Sequence, residues 1–110
     1  GLNSDVSEYT EVLRRLDSST RTKRLHQLMQ RNRQEGFRMF DELERNGSAD
    51  VFAYNVAIEN SAGADAASAL FLRMRERGVP LSVVTWNILI KALVNEERIS
   101  EAIGRVEEMV

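Results

Sequence analysis

Two nine-residue stretches of this chain are copies of one pattern: VFAYNVAIE from Val51 and VVTWNILIK from Val83. Each runs through an apolar pair, an aromatic and an asparagine into apolar residues at helical spacing, and the asparagines, Asn55 and Asn87, stand 32 residues apart. Self-similarity of this kind constrains the fold more than any local propensity, because each unit must bury its apolar face against a neighbouring unit. A second pair of copies, AASALFLRM and EAIGRVEEM, aligns Ala67 with Ala102, Phe71 with Val106 and Met74 with Met109 at a spacing of 35. The difference of three residues falls in the connection, NSAGAD in one unit and VNEERIS in the other; loops absorb length where packed faces do not.

Each unit therefore reads as two amphipathic helices joined by a turn. In the later unit Val84, Ile88, Leu89, Ala92 and Leu93 recur at helical spacing, as do Ile99, Ala102, Ile103, Val106 and Met109. Small residues at 67 and 102 let paired helices approach, while Phe71 or Val106 and Met74 or Met109 fill the space between successive pairs. Gly78, Val79 and Pro80 close the second helix of the middle unit, and Ser82 or Thr85 caps the next, so the strand-like VVT is the lead-in to a helix. An earlier copy begins at Val6, with Tyr9 and Thr10 in the places of Trp86 and Asn87, and continues in GFRMFDELERNG, where Phe40, Leu43 and Gly47 match Phe71, Met74 and Gly78. Between its halves lie about eleven extra residues, and Leu25, Leu28 and Met29 predict that the insertion lengthens or adds a helix. The expected organisation is a degenerate first repeat over 1–50 with a basic helical insertion, a second over 51–82 with a short inter-helix connection, and a truncated third over 83–110.

At 43% hydrophobic and 29% charged, the chain has the composition of a small globular domain or part of a larger array. It contains no cysteine and a single histidine, His26, which excludes a disulfide framework, thiolate ligands and a paired-histidine metal site. Its net charge is −2, yet Arg14 to Arg38 holds eight basic residues against Asp17 and Glu35. Such a stretch is either a solvated helix face or a surface for phosphate or another acidic partner. No nucleophile elbow, phosphate-binding glycine loop or carboxylate constellation occurs, so neither catalysis, a cofactor nor a small-molecule substrate is expected. No apolar run reaches the ~20 residues that span a bilayer, so no membrane partner is expected either.

Tetratricopeptide repeats set a glycine four residues after their tryptophan; here Ile90 follows Trp86 and Ile58 follows Tyr54. VVTWNILIKAL with ISEAIGRVEEM instead resembles a pentatricopeptide repeat, whose units read V-T-Y-N-x-L-I, then E-A, then Phe, then E-E-M and a closing Gly. The resemblance is closest from Val83 and extends through the middle unit to the copy at Val6. It implies an all-α fold, a right-handed α-α superhelix of stacked hairpins of which this chain is a fragment. It also implies a single-stranded RNA partner, one base being read per repeat by two or three side chains. The matching base readers are Asn55 with Ser82 and Thr10 with Asp50, while Asn87 is a reader whose partner lies past Val110. Phe52 and Val84 match the residues that pack on the base face. By that analogy Thr with Asp leans towards guanine and Asn with Ser towards a pyrimidine. The bland alternative for both asparagines is a first-turn polar residue competing for backbone donors. Arg21, Lys23, Arg24, Arg31 and Arg33 of the insertion are candidates for contacts to the RNA backbone. The family implies a mitochondrion or chloroplast and work in RNA processing, stabilisation or translation; the alternative is a scaffold solenoid whose partners are protein subunits of an organellar ribosome or transcription complex.

Overall fold

The computed structural model describes residues 15–110. Thr10, with Val6, Tyr9 and Arg14, lies outside them. Among the described residues the fold is all-α: α1 Ser18–Arg31, α2 Arg33–Arg45, α3 Val51–Glu59, α4 Ala64–Glu76, α5 Val83–Asn95 and α6 Ile99–Met109, with no strand. The chain divides into two compact units, one ending at Val56 and the other spanning Ala57–Val110. None of the helices among the described residues is long and apolar enough to cross a membrane.

In the N-terminal unit the insertion is a separate helix, α1, and it forms an antiparallel hairpin with α2. A single residue makes the connection. Asn32 has extended backbone (φ −155°, ψ 97°), donates its N–H to Leu28 O at 2.8 Å to close α1, and accepts from Glu35 N–H at 3.3 Å to cap α2. So short a link brings the helices into close contact at Gly36. A Cβ there would lie 2.6 Å from Met29 Sδ and 2.9 Å from Met29 Cα, so only glycine fits without a shift. Leu25, Met29, Met39, Phe40 and Leu43 fill the interface, all nearly inaccessible. Phe40 meets the Tyr54 ring edge-on at 5.0 Å, and the Tyr54 hydroxyl donates to the buried Glu44 carboxylate at 2.6 Å, so that polar tip is satisfied.

In the C-terminal unit α5 packs on α4 and α6 packs on α5. Ala57, Ala64, Ala67, Phe71, Met74, Leu89 and Leu93 are buried, and Ala102 is only 4% exposed. Phe71 takes Trp86 edge-on at 4.8 Å. The expected helix signals are present. Gly78 adopts φ +74° and Val79 N–H returns to Met74 O at 3.1 Å; Gly47 repeats this with φ +71° and Ser48 N–H to Leu43 O at 2.8 Å. Both glycines supply the left-handed residue that ends the preceding helix at low steric cost. Ser82 and Thr85 form a reciprocal capping box at the start of α5, Ser82 Oγ accepting from Thr85 N–H at 3.2 Å and Thr85 Oγ1 from Ser82 N–H at 3.3 Å.

The start of α4 is capped from a distance. Its N-cap position is Gly63, which has no side chain to offer; the Glu96 carboxylate, at the far end of α5, accepts the Ala64 N–H instead. A negative group at a helix N-terminus is favoured by the free amides and by the dipole. Arg98 sits beside it, within 3.9 Å of Glu96, and pairs with Asp65 of α4 at 2.7 Å.

The contact at Gly36 gives a stability expectation. Gly36→Ala should lower the urea midpoint of the chain, because overpacking against Met29, about 1–3 kcal/mol, outweighs the roughly 0.5–1 kcal/mol that alanine gains in a helix. An unchanged or raised midpoint would show that α1 and α2 do not approach this closely.

Candidate functional site

Helix geometry divides the residues of α5 into two sets. Thr85, Leu89 and Leu93 recur every four residues and are buried. Val84, Asn87, Ile88, Lys91, Ala92 and Asn95 line a groove of about 560 Å³, completed by Glu96, by Ile58 and Glu59 at the end of α3 and by Ser61 and Gly63 of the following turn. Val84 is 56% exposed and stands one turn before Asn87, which is exposed as well. An apolar side chain and an amide one turn apart on an open surface can meet the face and the edge of one planar ring. Lys91 follows one turn later on the same groove.

The corresponding residues of α3 are arranged differently. Phe52 is 55% exposed, matching Val84, but Asn55 is only 9% exposed. The same two letters thus present an open amide in one helix and an enclosed one in the other. Asp50 and Ser82, each the last residue before a helix, are both N-caps: Asp50 Oδ1 accepts from Ala53 N–H at 3.0 Å, as Ser82 does from Thr85. Asp50 also receives the Ser18 hydroxyl and the Arg21 guanidinium, the latter at 3.4 Å. Its oxygens are therefore committed to the fold on two sides.

The same contact decides how the basic insertion is divided. Arg21 turns inward to Asp50 with its side chain only 14% exposed, whereas Lys23, Arg24, Arg31 and Arg33 are all exposed. None of these four makes an ion pair among the described residues. From Arg21 to Arg31, α1 contains no acidic residue at all. Leu25 and Met29 are its buried positions, as Leu89 and Leu93 are in α5, which sets Lys23 at the register of Asn87. Helix α1 presents a cation where α5 presents an amide. The sequence alone could not assign that register, because the pairing of α1 with α2 depends on the single-residue link at Asn32.

Three cations of the C-terminal unit, Arg75, Arg98 and Arg105, are instead neutralised. Arg75 and Arg105 both reach Glu108, at 3.2 and 2.7 Å, and both lie over the Phe71 ring. The Arg105 guanidinium, with Arg75, holds the Glu108 carboxyl below the usual carboxylate range, and Arg98 does the same to Glu101. Arg98 itself is pushed above the ordinary arginine value by Glu101 and Asp65.

Residues 84–110, which contain α5 after its first residue and all of α6, match the family model described as PPR repeat. No curated protein matches the chain. Repeats of this kind are helical hairpins that commonly bind RNA.

The role of Asp50 can be separated from ligand contact. Asp50→Ala should cost the N-terminal unit about 1–2 kcal/mol in urea unfolding, the usual penalty for a lost N-cap, with Asp50→Asn recovering part of it through its remaining acceptor. Parental stability in both variants would free the carboxylate for another role.

Proposed function

We propose, from the match of residues 84–110 to a PPR repeat, that the chain belongs to that family and binds single-stranded RNA, meeting a base with Val84 and Asn87 and the phosphate backbone with the basic face of α1. The observation that carries this reading is the open groove on α5, in which an exposed apolar residue and an exposed amide lie one helical turn apart. Lys23, Arg24 and Arg31 of α1 with Arg33, which form no ion pair among the described residues, supply the charge that RNA needs and that the C-terminal unit lacks, its six basic residues being outnumbered by eight acidic ones. Phe52 with Asn55 repeats the pattern with the amide enclosed, so the leading role falls to Asn87. Asn55 and Ser82 are secondary readers, whereas Asp50 is held by its cap and by Arg21 and Thr10 lies outside the described residues. Proteins of this family commonly work in organelles, and the role proposed is processing, stabilisation or translation of RNA in a mitochondrion or chloroplast, within a longer right-handed array of stacked hairpins.

A second reading is a scaffold within an organellar ribonucleoprotein or transcription complex. It is favoured by the half-exposed Ile99, Ile103 and Val106 on α6, whose counterparts on α4 include the buried Ala64 and Phe71. The same surface also suits a following hairpin of the array.

Binding of labelled homopolymeric RNAs by the full chain, titrated against salt, tests the reading. Asn87→Ala should cost about 3–10-fold in affinity for the preferred base, the worth of one net hydrogen bond, and flatten the preference. Replacing Lys23, Arg24 and Arg31 together by glutamine should reduce the slope of log K on log salt by about 2 without altering base ranking. RNA binding that survives both changes untouched would sink the proposal. Purification with stoichiometric protein and no RNA would favour the scaffold.

A further inference from the structure

Lys91 stands apart from the other cations of residues 57–110. Arg75, Arg98 and Arg105 are tied to carboxylates at 2.7–3.2 Å, and Arg73 and Arg77 have contacts of their own. Lys91 has no ion pair among the described residues. This is not for want of carboxylates, since Glu59 and Glu96 border the same groove. Glu96 is turned away to the Ala64 N–H and towards Arg98. The ammonium is thus left open to an anion that enters from outside, and it projects from the groove-lining set of α5 rather than from an unrelated surface.

Its position fixes what that anion can be. Lys91 is four residues after Asn87, about 6 Å along the helix axis, and Val84 lies one turn to the other side. A planar ring over Val84 and Asn87 leaves the phosphate of the same or the adjoining nucleotide beside Lys91. An ammonium on a flexible stem suits a phosphate oxygen as a point charge, with no demand on base identity. The geometry points to Lys91 as the phosphate-binding residue of the α5 groove, holding the RNA backbone at the nucleotide whose base meets Asn87. Glu59, which lines the same groove, opposes the phosphate and makes occupancy depend on the lysine. This assignment rests on the RNA-binding reading and adds to it a division of labour within one helix: Asn87 discriminates among bases, whereas Lys91 contributes affinity that every base shares.

The experiment measures the affinity of the full chain for homopolymeric 12-nucleotide RNAs of adenylate, cytidylate and uridylate over a range of salt, comparing the parent with Lys91→Gln, Lys91→Arg, Asn87→Ala and Glu59→Gln. Lys91→Gln should reduce the magnitude of the log K against log salt slope by about 0.7, the increment for one phosphate contact on a single strand, and weaken all three RNAs alike. Lys91→Arg should restore the slope, Asn87→Ala should leave it unchanged while altering base ranking, and Glu59→Gln should tighten all three. Lys91 is exposed and makes no internal ion pair, so the glutamine variant retains its helices, as far-ultraviolet circular dichroism would verify. A parental slope in Lys91→Gln, or a change in base ranking without a change in slope, overturns the assignment while leaving RNA binding in place. Failure of the parent to bind any of the RNAs overturns the functional reading itself, and the assignment with it.

Discussion

The packing of α5 on α4 and α6 sets the terms for everything else in the C-terminal unit. Once Thr85, Leu89 and Leu93 are committed to those contacts, the 3.6-residue period leaves Val84, Asn87 and Lys91 no buried alternative. The groove is the complement of the core. Small residues at Ala64, Ala67 and Ala102 make this possible by letting the helices close without pushing α5 out of register. The capping box at Ser82 fixes where the helix begins and therefore which residues fall on which side.

Charge is distributed by the same logic. In the C-terminal unit arginines and carboxylates pair between α4 and α6, as in Arg98 with Asp65 and Arg75 with Glu108, so that they neutralise one another. Each such exposed pair contributes little to stability, but together they remove free positive charge from that surface. Helix α1 contains no acidic residue from Arg21 to Arg31, and among the described residues only Arg21 of its cations forms an ion pair, with the Asp50 that caps α3. Among the described residues, cations on α1 and Lys91 in the groove are what remain without an ion pair after structural needs have been met.

Much of the architecture was legible in the sequence because it is periodic. The apolar spacing of α4, α5 and α6, the glycine ends at 47 and 78 and the cap at Ser82 all depend on residues within a few positions of one another, where local rules operate. The features that escaped are those set by distant or double-duty residues. Asn32 closes one helix and opens the next, a pairing of roles that leaves no periodic trace, and so the insertion could be read only as lengthening or adding a helix. The different burial of Asn55 and Asn87 is equally invisible in the letters, since identical residues in matched frames acquire their exposure from what packs around them. Arg21 is one basic residue among several in the letters, because the carboxylate it pairs with stands 29 positions away.

The Glu96 carboxylate at the head of α4 bears on how modular such hairpins are. A repeat delimited by sequence, ending before Val83, would carry α4 away without the group that satisfies its first amide. The physical unit is therefore offset from the textual one, α4 leaning on an acid at the end of the helix that follows it. Grafting the Val51–Ser82 segment into a foreign array would succeed only beside a host helix that ends in a comparable glutamate, so the order of neighbours, and not merely their number, is written into the turn.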